Sequence, residues 1–189
     1  MPLPAFAPIT TDRLSIVPIA EGLIDDLVAV NGDPAVTEYL PYATWTSRED
    51  GLAWLSRMKT LEESGTARQL ALTLKTSGRA IGTLLLFKYD EGSRRIEIGY
   101  ALAQAYWAKG LMHEALGAAC RVAFEELGCR RLEAEVNPGN AASCKLLMRL
   151  GFKLEGRLRQ RWSAKGKTYD TNLYGRLITD PMPSLRSAA

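Results

Sequence analysis

The residues that come nearest to a chemical purpose are Ala108-Lys109-Gly110. Before them, Ile96, Ile98, Tyr100 and Leu102 alternate with Glu97, Gly99, Ala101 and Ala103, the period of a pleated strand. After them the period changes. Leu111, Ala115, Leu116, Ala119, Cys120, Ala123, Phe124 and Leu127 form the apolar stripe of a packed helix, and Gly128 supplies a stop. The connecting loop therefore presents free backbone N–H groups at the positive end of a helix, with the charge of Lys109 beside them, an arrangement suited to phosphate. A plain strand-to-helix connection has the same pattern. A second set of polar residues lies on strands. The strand around Leu132 puts Glu133, Glu135 and Asn137 on one face, as the Ile96 strand does Glu97, Gly99 and Ala101. Both strands are apolar on the other face. Their polar side is either solvated or a groove in which a ligand lies against the sheet.

Two longer stretches carry a resemblance. IGYALAQAYWAKGLMHEAL and NPGNAASCKLLMRLGFKLEG together resemble the GNAT superfamily of acyl-CoA-dependent N-acetyltransferases. The nearest branch is that of the RimJ/RimL-type ribosomal-protein-alanine acetyltransferases. The opening Thr11-Asp12-Arg13-Leu14 and the late Tyr169-Asp170-Thr171-Asn172-Leu173-Tyr174 also fit it. The resemblance covers residues 9 to 178 and implies a single-domain α/β (α+β) GNAT fold. That fold has a mixed, mostly antiparallel central sheet of about seven strands, helices on both faces and two splayed central strands. Acetyl-CoA is the implied cosubstrate, its pantetheine arm lying in the gap.

The resemblance also assigns roles. The pyrophosphate loop falls on Trp107, Ala108, Lys109, Gly110, Leu111 and Met112, with Trp107 and Met112 departing from the commonest pattern. Ile98, Gly99, Tyr100, Asn137, Asn140 and Ser143 complete the cofactor set. Asn140 is equally an ordinary helix N-cap. Many superfamily members place a tyrosine acid where this chain has Leu147, and the branch casts a serine at the position of Ser143 in the thiol-side role. Packing against the sheet is the alternative for Ser143. Glu97 is the candidate base and an exposed strand glutamate its alternative; a hairpin carboxylate used by some relatives falls on Trp162. The amide of the Ile98–Gly99 region is placed to polarise a thioester carbonyl. Direct transfer needs no covalent intermediate, and no Cys–His or Ser–His–Asp arrangement is present. Neutralising an α-amine at neutral pH costs only ~1–1.4 kcal/mol, against roughly 4.6 kcal/mol for a lysine-like amine.

The positioning elements follow from pattern. Strands are expected at 13–18, 68–75, 80–89, 131–136, 153–162 and 168–178. Helices are expected at 21–30, from Ser47-Arg48-Glu49-Asp50 to Gly65, and at 141–150. Residues 1–8, with three prolines, read as a flexible arm, 9–178 as the transferase domain and 179–189 as a tail. At 189 residues, 47% hydrophobic and 24% charged, one globular domain is expected. A net charge of +3 argues for no specific nucleic acid, although the late hairpin carries Arg157, Arg159 and Arg161 on alternate positions. No run is apolar enough for a membrane, no signal peptide is apparent, and Cys120, Cys129 and Cys144 read as reduced thiols, so a cytoplasmic protein without metal is expected. The expected partners are acetyl-CoA and an amine acceptor, a protein N-terminus or a small molecule such as a polyamine, amino acid or aminoglycoside. A homodimer is compatible with this, and a non-catalytic acyl-CoA-binding module is the rival reading.

Overall fold

The computed structural model describes residues 2–181; the remainder of the expected tail, 182–189, lies outside the described residues. The chain runs β1 (Ile9–Thr10), β2 (Leu14–Pro18), α1 (Ile24–Asn31), α2 (Pro34–Thr37), α3 (Arg48–Glu63), β3 (Arg68–Leu74), β4 (Ala80–Asp90), β5 (Arg95–Leu102), α4 (Leu111–Glu125), β6 (Arg131–Val136), α5 (Ala141–Arg149), β7 (Lys153–Ala164) and β8 (Lys167–Leu177). Among the described residues one eight-stranded sheet has the order β1-β2-β3-β4-β5-β6-β8-β7. The expected mixed, mostly antiparallel sheet is present, with one strand more than the pattern suggested. That strand, β1, has two residues and pairs Ile9 with Ile16; it is too short to show a period. Leu3 is buried, and its N–H donates to the Gly65 carbonyl at 2.6 Å.

Helices cover both faces. Leu116, Ala115, Ala119 and Ala123 of α4 pack with Ile96, Ile98, Leu132 and Ala134, and Leu147 of α5 joins them. On the other face Ile24 and Leu27 of α1 and Trp54 and Leu55 of α3 pack with Trp45, Ala71 and Ala80. Asp50 starts α3 by accepting from the Thr46 and Ser47 amides, as its spacing from Ser47 implied. Leu61, in the last turns of that helix, is 42% exposed.

The parallel pair decides where a ligand fits. β5 and β6 share only the rungs Arg95↔Arg131, Ile96↔Leu132 and Glu97↔Glu133. Beyond Glu97 each strand keeps its outer neighbour, β5 with β4 as far as Leu102 and β6 with β8 as far as Val136. The sheet thus opens as a wedge whose narrow end lies at Glu97, and whose inner edges leave backbone groups outside the ladder.

Leu116 is fully buried beneath this opening. Leu116→Ala should cost about 2–5 kcal/mol in urea unfolding. An unchanged midpoint would mean that α4 does not hold the two strands from below.

Candidate functional site

The loop at the wide end is built by backbone conformation. Ala108 has φ 57° and Gly110 φ 75°, two left-handed positions in three residues. A Cβ at Gly110 would come no closer than 3.5 Å to Arg13 Nη2, so it is the backbone angle that favours glycine there. Gly110 is the N-cap of α4 and offers no side-chain cap. The side chains of Leu111 and Met112 are buried in the core, which leaves their N–H groups as what they can offer an anion. These open donors and the room above Gly110 fit a pyrophosphate. Lys109 holds its Nζ 5.5 Å from the Tyr106 ring centroid. Trp107 Nε1 donates to the Leu102 carbonyl at 2.7 Å, which fastens the loop to the end of β5.

A second fastening comes from the turn between β1 and β2. Arg13 Nη1 donates to the Lys109 carbonyl at 2.9 Å, and Arg13 Nε to Glu114 Oε2 at 2.6 Å. Glu114 Oε1 accepts from the Arg13 amide at 2.9 Å and from the Thr11 hydroxyl at 2.6 Å. Burial pushes the Glu114 carboxyl up, but the Thr11 hydroxyl and the Arg13 amide and guanidinium outweigh it and hold it below its ordinary value. Thr11 and Arg13 entered the sequence reading only as part of a resemblance. The signal that was available was Glu114, an acid in the first turn of a largely apolar helix.

Along the opening, Ile98, Gly99 and Tyr100 all lie past the last rung. The Ile98 side chain is core, so its contribution to a ligand is backbone. Tyr100 is turned toward α5, and its hydroxyl lies 2.7 Å from Ser143 Oγ. Burial pushes the Tyr100 phenol well above its ordinary value, against a smaller pull from Ser143. Asn140 Oδ1 accepts from the Ser143 N–H at 3.0 Å, so the cap is present. Asn137 Oδ1 accepts from the Gly139 N–H at 2.8 Å and shapes the entry to α5. Leu147, where a tyrosine acid would stand, is fully buried.

The opposite face carries the charge. Glu97 is 5% exposed, which corrects the picture of an exposed strand glutamate, and its Oε2 accepts from Lys88 Nζ at 2.7 Å. Burial pushes the Glu97 carboxyl up and Lys88 only partly reverses this, leaving it above its ordinary value. Lys88 Nζ also lies 3.4 Å from Glu135 Oε1, while Glu135 Oε2 accepts from Trp162 Nε1 at 2.9 Å. Trp162 thus stands against a carboxylate, one supplied by β6 and not by the hairpin. Glu133 is held by Arg95 at 2.8 Å and Arg131 at 2.7 Å. A cavity of about 170 Å³ beside these groups is lined by Glu97, Glu133, Glu135, Leu158 and Tyr174.

The hairpin bounds this space. Lys165 at its tip donates to the Thr37 carbonyl of α2. The expected row of Arg157, Arg159 and Arg161 is broken by a bulge at Gln160, φ 50°, whose N–H is held by Asp170. Arg157 pairs with Asp170 and Arg161 approaches Glu135. Of the early aromatics, Trp45 and Trp54 are core, with ring centroids 5.4 Å apart, and Tyr39 remains partly exposed near Gly139. Among the described residues no group of His, Cys, Asp and Glu is placed to hold a metal, and no helix is long and apolar enough to cross a membrane.

Comparison with known proteins places this geometry. The family described as Acetyltransferase (GNAT) domain matches residues 13–153. An uncharacterised N-acetyltransferase, p20, of Bacillus licheniformis is 32% identical over 167 residues, 88% of this chain and 94% of that protein. The [ribosomal protein uS5]-alanine N-acetyltransferase of Escherichia coli (strain K12) is 44% identical over 59 residues, 31% of this chain and 30% of that one. A solved structure of RimL, ribosomal L7/L12 alpha-N-protein acetyltransferase in complex with coenzyme A, shares the fold with a TM-score of 0.81 at 21% identity, covering 91% of this chain and 98% of that one.

The depressed Glu114 carboxyl has a consequence for stability. Its contribution is present above the unfolded value near ~4.3 and is lost as pH falls through the lower folded one. Glu114→Gln should therefore cost about 1 kcal/mol near neutral pH, after allowance for the half-exposed Arg13. The gap between wild type and variant in thermal unfolding should close below about pH 4. A gap of constant size down to about pH 3 would show that the carboxylate charge does not matter to the loop.

Proposed function

Because this chain belongs to the GNAT acetyltransferase family and is an N-acetyltransferase enzyme, we propose that it moves the acetyl group of acetyl-CoA directly to the α-amine of a protein or peptide. Family membership removes the non-catalytic binding module. The acceptor class, the roles of residues, the RimJ/RimL-like branch and a cytoplasmic setting are this reading's own.

The wedge between β5 and β6 carries it. The amides of Gly110, Leu111 and Met112, with Ala108 turning the loop and Lys109 adding charge, hold the pyrophosphate. The inner edges at Ile98, Gly99 and Tyr100, with Asn137 and Asn140 across the gap, take the pantetheine arm. The Ile98–Gly99 backbone donates to the thioester oxygen as charge grows there. Glu97, at the narrow end, takes a proton from the amine through water. Ser143, backed by Tyr100, returns one to the sulfur.

The state of Glu97 favours an α-amine. Its carboxylate is committed to Lys88, so it is not free to take a proton from an amine until that pair opens. An α-amine needs little help at neutral pH, about 1 kcal/mol, where an alkylamine needs roughly 4.6 kcal/mol. The names of the uS5-alanine and RimL enzymes point the same way. A small amine is the second reading, favoured by the Lys165–Thr37 contact that narrows the acceptor side.

Thiol release with acetyl-CoA across N-terminal peptides and small amines tests the acceptor. Peptides with free α-amines should show the higher kcat/KM, and the same peptides blocked at the N-terminus should show none. A polyamine or aminoglycoside as the best acceptor would replace this reading by the second.

Ser143→Ala tests the thiol side. It should lower kcat by about tenfold or more while acetyl-CoA affinity stays close to wild type. Lost affinity with intact turnover would make Ser143 a binding residue, and no change in either would leave it a packing residue.

A further inference from the structure

Lys88 does not stand where a regular strand would put it. The register of β4 against β5 shifts between Phe87 and Asp90, and Lys88 has φ 53°, a left-handed angle that lysine seldom adopts. In an unbroken strand its side chain would leave the sheet on the face opposite Phe87, away from Glu97. The bulge brings it back. Nζ lies 5.2 Å from the Phe87 ring centroid, 2.7 Å from Glu97 and 3.4 Å from Glu135. Glu97 stands on the last shared rung and Glu135 beyond it on β6, so this amine spans the narrow end of the wedge. Of the other cations nearby, Arg161 lies 3.6 Å from Glu135 while Arg95 and Arg131 hold Glu133, and all three are guanidiniums that stay charged. Lys88 is a primary amine, the functional group on which this enzyme acts.

We propose that Lys88 is an internal acceptor: with no external amine bound, the enzyme acetylates the Lys88 side chain of its own chain. This rests on the reading that acetyl-CoA lies in the wedge. An arm anchored at Gly110 runs inward from the Leu102 end of β5, and its thioester end meets the narrow end, where Lys88 is held. Nζ gives a proton to Glu97 and its lone pair bonds to the acetyl carbonyl carbon. The carbon–sulfur bond breaks, and its electron pair leaves on the sulfur, which is protonated. The products are N6-acetyllysine at position 88, free coenzyme A and one proton. The reaction stops after one acetyl per chain and strips the ammonium from between Glu97 and Glu135. Because a lysine amine is almost wholly charged at neutral pH, it runs slowly there and faster as pH rises.

The test incubates the full chain with acetyl-CoA, without added amine, at about pH 7 and about pH 9, and maps acetyl-lysine by mass spectrometry. Lys88 should be labelled at least about tenfold faster than the exposed Lys59, Lys75 and Lys145, faster at the higher pH, and about tenfold or more slower in Glu97→Gln. Lys88→Arg keeps the charge and should lose the label while circular dichroism stays unchanged. Calorimetric titration with acetyl-CoA accompanies each protein. Binding without label at Lys88, or label spread evenly over exposed lysines and indifferent to Glu97→Gln, would overturn the internal acceptor and leave the proposed function standing. Absence of binding would overturn both.

Discussion

The structure depends on a parallel pair of strands that stays joined for three rungs and then separates. A parallel connection requires a crossover, and α4 is that crossover. Its N-terminus must therefore lie beyond the carboxyl end of β5, which is also the side on which the strands part. The anion-binding end of the helix and the mouth of the wedge are thus delivered together by one topological choice. Separation leaves backbone groups without ladder partners, an arrangement that is stable only if water or a ligand meets them. A CoA arm with its own amides is suited to that edge.

Two side-chain bridges limit the opening, one on each face. On the face covered by α4 and α5, Tyr100 of β5 reaches Ser143 of α5. On the other, Lys88 of β4 reaches Glu97 and Glu135. The first is neutral and partly buried; the second is charged, with Glu97 buried and Lys88 half-open to solvent. The acidic face remains nearly balanced because Arg95 and Arg131 neutralise Glu133, so an arriving amine meets a modest field and not a strong one.

Much of this was legible beforehand, for identifiable reasons. The change of period at Gly110, the cap at Asn140 and the polar faces of Glu97 and Glu135 are local patterns, and local patterns survive folding. What escaped depended on partners distant in the chain. Glu97 reads as an exposed alternating residue until Lys88 and the hairpin cover it. Lys88 itself is misplaced by a bulge, which no periodicity announces. The arginine row failed likewise at Gln160. Arg13 and Glu114 are far apart in sequence, and nothing local in either says that they meet.

The four tryptophans divide in a way that gives the molecule an optical use. Trp45 and Trp54 are 6% and 4% exposed, while Trp107 and Trp162 are 43% and 41% exposed. One exposed indole is fastened beside Gly110 at the wide end of the wedge, and the other donates to Glu135 near its narrow end. A dissolved collisional quencher would reach these two and spare the buried pair. With Trp107 replaced by phenylalanine, the quenchable emission would report from the Glu135 side alone; with Trp162 replaced, from the loop at Gly110. The two ends of the wedge can then be followed separately in solution, without any attached dye.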